Sequence, residues 1–294
     1  MPKKPTFARF ATIIRLFSVV VLFSLAGCLP GTPSRPSSSG NNTEPSRDES
    51  LALGNPSKAN SDDPDNYLMQ KSVYALSYNR QRGTANWVSW HLSAAWKGPF
   101  ARSNNFRPDP DLPRDWYAVK TSDYTNTGFD RGHLCPSDDR DASPEDNSTT
   151  FLMTNIVPEA PQHNRVVWKN LEDYCRSLLA GGNELYITAG VIGAGGTGEN
   201  GRETKIAEGK ITVPASLYKI IVVLPTGSDD LNRISTNTRV IAVNIPNRQT
   251  AADRPWGYYL VSIDELEEKT GYDFLNRLPA DLQRILEARK DVTN

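Results

Sequence analysis

The stretch TGFDRGHLCPSDDR, residues 127–140, carries His133, one of only three histidines in 294 residues. Asp130 and Arg131 precede it and an acid-rich run follows. An imidazole titrates near neutral pH, so it can take a proton from water. A lone loop histidine more often just makes a hydrogen bond; what sets His133 apart is its company. In TNIVPEAPQHNRVVWKNLEDY, further along, Asn164 falls at an expected helix start and Glu172 two turns later. Imidazole, amide carbonyl and carboxylate are the groups of a metal-assisted hydrolysis site. The two oxygen donors suit a hard cation, Mg²⁺ or Mn²⁺. There is no HExxH, no CxxC and no second histidine at ligand spacing, which argues against zinc.

Spacing adds a geometric expectation. Eight residues of α-helix rise ~12 Å, so Asn164 and Glu172 cannot easily both touch one ion. The Glu172 side chain leans toward the helix start, and a water bridge closes the remaining gap.

The elements that must position these groups are legible in outline. Segments 67–79 and 84–96 are rich in Tyr, Trp, Val and Leu and flank NRQRG, so they are expected as two strands joined by a turn. Apolar residues at 167, 168, 171, 174, 175, 178 and 179 have helical spacing, which predicts one helix over about 164–180, stopped at Gly181-Gly182. Segments 184–193, 210–214, 217–224, 238–246 and 258–262 are expected strands. Ser262 and Glu265 form a capping-box pattern that opens a short helix closed by Gly271. Many strands and few helices in mixed order predict an α+β fold on a largely antiparallel sheet. His91 lies in an expected strand and is taken as structural, and His163 as an exposed turn residue. The glycine cluster 193–201 lacks a following Lys-Ser/Thr and any dinucleotide pattern, and is expected to be a flexible hairpin tip. The six tryptophans are expected in the core.

The N-terminus is expected to be a targeting segment, residues 1–27. Lys3, Lys4, Arg9 and Arg15 precede the apolar run 16–27, too short to span a bilayer. Leu25-Ala26-Gly27 before Cys28 resembles a bacterial lipobox, with Cys28 lipidated. An ordinary signal cut near Ala26 is the alternative. Either way the chain is expected to be exported, as a membrane-anchored lipoprotein of the cell envelope or periplasm, or secreted. Residues 28–66, rich in Pro, Ser and Asn, are expected as a disordered tether. Residues 67–294 are then one domain, a length one core can serve. Removing the four bases and no acids of residues 1–27 takes the formal charge from −1 to −5. This excludes a broadly basic nucleic-acid coat, so any contact with a polyanion must be local. Cys135 and Cys175 allow either one disulfide or two buried thiols.

DRGHLCPSDDR, FLMTNIVPEAP and NRVVWKNLEDYCR together resemble the DNA/RNA non-specific endonuclease family, the ββα-metal nucleases with a DRGH motif. NYLMQKSVYALSYN, GTANWVSWHL, NNFRPD, NTRVIAVNIPN and TGYDFL extend the resemblance over nearly all of residues 50–294. It implies a ββα-metal motif in the fold and hydrolysis of DNA and RNA to 5′-phosphate ends, with Mg²⁺ or Mn²⁺ as cofactor. His133 would be the general base and Asn164 the one direct protein ligand of the metal. Glu172 and Asp130 would act through water, and Arg131 would help shape the site. Arg102, in FARSNNFRPD, would hold the phosphate, with Arg176 adding charge. Glu159 stands where the family usually has Gln, an added acid expected near the metal. DNA and RNA are the expected partners, besides a membrane contacted through Cys28, and a monomer is expected. The alternatives are a non-catalytic nucleic-acid-binding lipoprotein and a metal phosphodiesterase for small substrates.

Overall fold

The computed structural model describes residues 44–292. The expected signal segment, Cys28 and the start of the expected tether lie outside them. Strands β1 (Tyr67–Gln70), β2 (Ala75–Asn79) and β3 (Thr84–Leu92) come first. A long irregular stretch leads to β4 (Asp130–His133), helix α1 (Pro144–Thr149) and β5 (Ile156–Glu159). A π-helical turn, His163–Trp168, runs directly into α2 (Lys169–Leu179). Then come β6 (Asn183–Ile192), the short hairpins β7 (Gly196–Gly198) with β8 (Gly201–Glu203) and β9 (Lys205–Ile206) with β10 (Ile211–Thr212), and β11 (Ser216–Pro225). The chain closes with α3 (Asp230–Arg233), β12 (Arg239–Pro246), β13 (Leu260–Val261), α4 (Ile263–Thr270) and α5 (Ala280–Glu287).

The expected α+β class is found. Seven strands form an antiparallel sheet in the order β1-β2-β3-β6-β11-β12-β13. Successive strand residues face opposite sides, and both sides are covered. Ile221, Ile241 and Val243 join one buried cluster with Trp168, Leu171 and Cys175 of the π turn and α2. Ile220, Val222, Val240 and Ala242 join another with Ile263, Leu266 and Leu286 of α4 and α5. Trp87, Trp90, Trp96 and Trp168 are buried, while Trp116 and Trp256 pack at the edge of the first cluster. The cap at α4 forms as expected: the Ser262 hydroxyl accepts from the Glu265 N–H, and Gly271 ends the helix with φ 73°. Cys135 and Cys175 are both free and buried, and burial pushes both thiols up to about 12.

Two sequence expectations are corrected. The tether does not extend to residue 66. Ser57 accepts a hydrogen bond from the Trp87 indole at 2.8 Å, and the Asp48 N–H donates to His91 Nδ1 at 3.2 Å. Asn66 Oδ1 accepts from Ser77 Oγ at 2.8 Å. Side-chain partners on the sheet, unreadable from Ser/Asn-rich composition, order this segment. The glycine cluster is not a free tip either: it forms the β7–β8 hairpin, and the Glu199 N–H donates to Gly128 O at 2.9 Å.

A two-stranded ribbon is marginal alone, and the β4–β5 ribbon is tied to the rest by buried amides. Asn155 accepts from the Cys135 N–H at 2.9 Å and donates to the Cys135 and Thr150 carbonyls, each at 2.8 Å. Asn247, at the end of β12, accepts from the Ala160 N–H at 2.8 Å. It donates to Pro158 O at 2.9 Å and Pro214 O at 3.0 Å. Asn247→Ala strands all three backbone groups, and unsatisfied buried groups cost about 1–3 kcal/mol each. The expected loss is about 3 kcal/mol in urea unfolding; an unchanged midpoint would refute this role.

Candidate active site

β4 is the DRGH segment itself. It pairs antiparallel with β5, Asp130 opposite Glu159 and His133 opposite Ile156. Glycine is required at 132 because a Cβ there would lie 2.0 Å from Glu159 Oε1 and 2.5 Å from its Cγ. The ribbon and the π turn enclose a cleft of about 240 Å³. His133, Arg102, Arg131, Asn164, Glu172 and Arg176 all line it, so the sequence-predicted residues converge except Asp130. Arg165, Lys169, Ser137 and Asp138 line it too. Five cationic side chains against two carboxylates make the cleft locally positive in an acidic chain, a focus for a polyanion.

The His133 ring lies between Phe106 and Phe151, centroids 5.3 and 4.9 Å away. The same two rings carry the guanidiniums, Arg131 4.6 Å from Phe106 and Arg102 4.8 Å from Phe151. Burial, the larger cause, and repulsion from Arg102 and Arg131 together lower the His133 pKa to about 3. The imidazole is therefore neutral, the state a base needs. Among the described residues neither ring nitrogen has a hydrogen-bond partner, and Nε2 is buried while Nδ1 is not so closed off, so Nδ1 is the nitrogen open to water. Arg102 is aimed by Ser137, whose hydroxyl accepts from Nη1 at 2.7 Å, and by Asn104, which accepts from Nε at 2.9 Å. The neighbouring Ser103 N–H donates to buried Asn147 at 2.8 Å, and Asn147 in turn donates to Ser137 O at 2.9 Å.

Asn164 sits within the π turn, not at the start of an α-helix as the sequence pattern predicts. Single π turns inside α-helices recur at functional sites. Asp130 does not hold its carboxylate out to the cleft. Arg165 donates to both of its oxygens, at 2.8 and 2.7 Å, and Asn164 Nδ2 donates at 2.9 Å. That engagement ties the carboxylate to protein donors. It commits Nδ2 and leaves Asn164 Oδ1 without a protein partner among the described residues. Glu172 lies 3.7 Å from Lys219 Nζ. Lys219 is a buried lysine of β11 set 4.2 Å over the Trp168 ring. Burial raises the Glu172 pKa to about 7 despite Lys219 and Arg176. A free amide oxygen, a partly exposed carboxylate and a neutral imidazole around one cleft are an oxygen-rich donor set that fits a hard divalent ion. Arg176 is less free than expected, since Asp139 and Asp173 accept from it at 2.9 and 2.6 Å.

His163 is a further correction. It is buried, not an exposed turn residue; its Nδ1 lies 2.7 Å from Glu159 Oε2, and its ring stacks on Trp168. Glu159 is fully buried under Gly132, and its carboxyl is pushed up by desolvation, so it does not line the cleft as an extra acid. Sequence reasoning missed Phe106, Phe151, Arg165 and Lys219. Only Lys219 leaves a sequence signal, a cation inside the apolar run LYKIIVVL.

Residues 54–281 match the family described as DNA/RNA non-specific endonuclease. The chain is 51% identical to a nuclease of Nostoc over 84% of its own length and 88% of that protein's. It is 28% identical to nuclease C1 of Cunninghamella echinulata, covering 80% and 90% of the two chains. It is 30% identical to the mitochondrial nuclease EXOG of Xenopus laevis, over 71% of this chain but only 58% of that one. A solved structure of EndoG complexed with EndoGI has a similar fold, with a TM-score of 0.64 at 23% identity, covering 78% of this chain and 91% of that one.

The raised Glu172 pKa predicts proton-linked metal binding. Below about 7 the carboxyl holds its proton, and above it the proton is gone. A divalent ion bound there must displace that proton at about pH 6 and has none to displace near pH 8.5. Mn²⁺ calorimetry in buffers of differing ionisation enthalpy should show about one proton released at the lower pH and almost none at the higher. Equal release at both, or release persisting in Glu172→Gln, would contradict this.

Proposed function

The chain belongs to the DNA/RNA non-specific endonuclease family, and we propose that its cleavage of DNA and RNA runs through His133 as general base beside a divalent ion held by Asn164. The observation that carries this is a neutral imidazole, one nitrogen open, facing a cationic cleft with an unpartnered amide oxygen. Asn164 Oδ1 would be the direct ligand and Glu172 the outer one, acting through water. When bound, Mg²⁺ or Mn²⁺ supplies neutralisation of the charge that develops on the phosphate and the departing 3′ oxygen.

The protein's own groups do the rest. Arg102 donates charge-assisted hydrogen bonds to a phosphate oxygen, and Arg131 adds positive charge from the Phe106 side. Asp130 and Arg165 hold the Asn164 amide in one orientation. His133 Nδ1 accepts a proton from water as the water oxygen bonds to phosphorus and the P–O3′ bond breaks. The departing O3′ takes a proton from water, so the products are a 5′-phosphate and a 3′-hydroxyl. No 2′-hydroxyl takes part, so DNA and RNA are equivalent substrates. Contacts made to phosphate read no base directly, which accounts for cleavage without sequence preference.

The lipobox-like Leu25-Ala26-Gly27-Cys28 and the apolar run before it support export with a lipid anchor. Labelled palmitate should enter the full chain in bacterial culture and be lost in Cys28→Ser; equal labelling of both would exclude the anchor at this residue.

The catalytic assignment is tested by His133→Ala. Plasmid and RNA cleavage should fall by about 10²–10⁴-fold while the near-UV circular dichroism spectrum is retained. Chelation should stop the wild-type enzyme, and divalent ion should restore it. Cleavage by His133→Ala at the wild-type rate would remove His133 from the role of base.

A further inference from the structure

On the sheet face opposite the cleft, three carboxylates gather where α4 meets α5. Asp264 and Glu267 lie three apart on α4, hence on one face of that helix. Glu287, the last residue of α5, comes up against them. One oxygen from each lies within 4.8 Å of the others. Two features separate this cluster from an ordinary solvated acidic patch. Glu287 is only 6% exposed, and its Oε1 is buried without a hydrogen-bond partner. Among the described residues, the charged groups acting on it are Glu267, Asp264 and Asp273, all carboxylates. By contrast, the acidic group at Asp48, His91, Glu184 and Asp230 is neutralised from within, since Arg233 bridges Glu184 and Asp230 at 2.5 and 2.6 Å.

Buried carboxylates are ordinarily paired or bound to metal. We propose that Asp264, Glu267 and Glu287 form a second cation site that takes Ca²⁺ and clasps the C-terminal helix α5 to α4. The donor set is all oxygen, as a hard ion requires. Oxygens that all lie within 4.8 Å of one another are close enough for one cation to bridge. Ca²⁺ accepts several carboxylate oxygens in flexible geometry, whereas Mg²⁺ demands near-ideal geometry and keeps more of its water. The Phe274 N–H donates to Glu267 Oε1 at 2.7 Å, which fixes that carboxylate before any ion arrives. Burial and the neighbouring acids raise the Glu287 pKa to about 8, as expected of an uncompensated anion. The packing places the ion's effect on stability: Ile263, Leu266 and Leu286 close the core on this face of the sheet. The site goes beyond the nuclease reaction and shares no residue with it.

The test uses the full chain stripped of metal. CaCl₂ at about 5 mM should raise the Tm by about 3–5 °C, and calorimetry should find one bound Ca²⁺ that survives in Asn164→Ala. Asp264→Asn/Glu267→Gln should lose both responses while keeping Mg²⁺-dependent plasmid cleavage within about twofold. Glu287→Gln, which removes the carboxylate a cation would need without changing shape, should lose them equally. Ca²⁺ binding that disappears in Asn164→Ala would belong to the cleft and overturn the proposal. So would Ca²⁺ binding that persists in Asp264→Asn/Glu267→Gln. No effect of Ca²⁺ at all, the result if the carboxyls share protons instead, would also overturn it.

Discussion

One imidazole must stay uncharged inside a cleft built to attract anions, and the arrangement around His133 follows from that constraint. The guanidiniums of Arg102 and Arg131 make the cleft positive, and the same charges oppose an imidazolium. Stacking explains how both fit close by: each guanidinium lies on one of the two phenylalanine rings that enclose the imidazole. The rings exclude water, which strengthens every charge interaction inside. A phosphodiester seated against Arg102 would cancel part of the repulsion on His133, so its basicity would rise as substrate arrives. In the proposed mechanism, base and substrate would thereby be coupled through charge alone.

Behind the cleft, buried charges carry the sheet's rigidity into the site. Lys219 of β11 reaches Glu172 of α2. Arg176 bonds Asp139, and Asp139 accepts from the Trp90 indole of β3 at 3.0 Å. Arg140, fully buried, donates to the Val73 and His91 carbonyls. Buried ion pairs contribute little net stability, because desolvation offsets the attraction. Here they fix where side chains point: Glu172 is anchored from the sheet side and remains available on the cleft side.

Which features the sequence disclosed follows from how local each one is. That His133, Asn164 and Glu172 share one cleft was legible because their residue types are scarce or chemically pointed, whereas Arg102 joined them only through the resemblance of its stretch to the family. The helix and the sheet strands were legible from periodicity. The misplaced features depend on distant partners. Glu159 reads as an added acid near the metal, and His163 as an exposed turn residue, until β4 is laid over β5 and Gly132 leaves room for a buried carboxyl. Asp130 looks free for water until the π turn brings Arg165 beside it, and a π turn has no signature in apolar spacing. The ordered segment before Tyr67 has tether-like composition because its partners, Trp87, His91 and Ser77, lie on the sheet.

The ribbon that carries His133 is held largely by neutral amides, and the electrostatics give a reason. Asn147, Asn155 and Asn247 each clamp two or three backbone groups around the cleft. A carboxylate or guanidinium in any of these places could satisfy some of the same groups. It would also add a full charge near the imidazole, moving its pKa, or near Asn164, competing for or repelling a cation. An amide supplies both a donor and an acceptor with no net charge. The scaffold can then be made rigid without retuning the chemistry it positions, and the charged residues of the cleft are left to set the field alone.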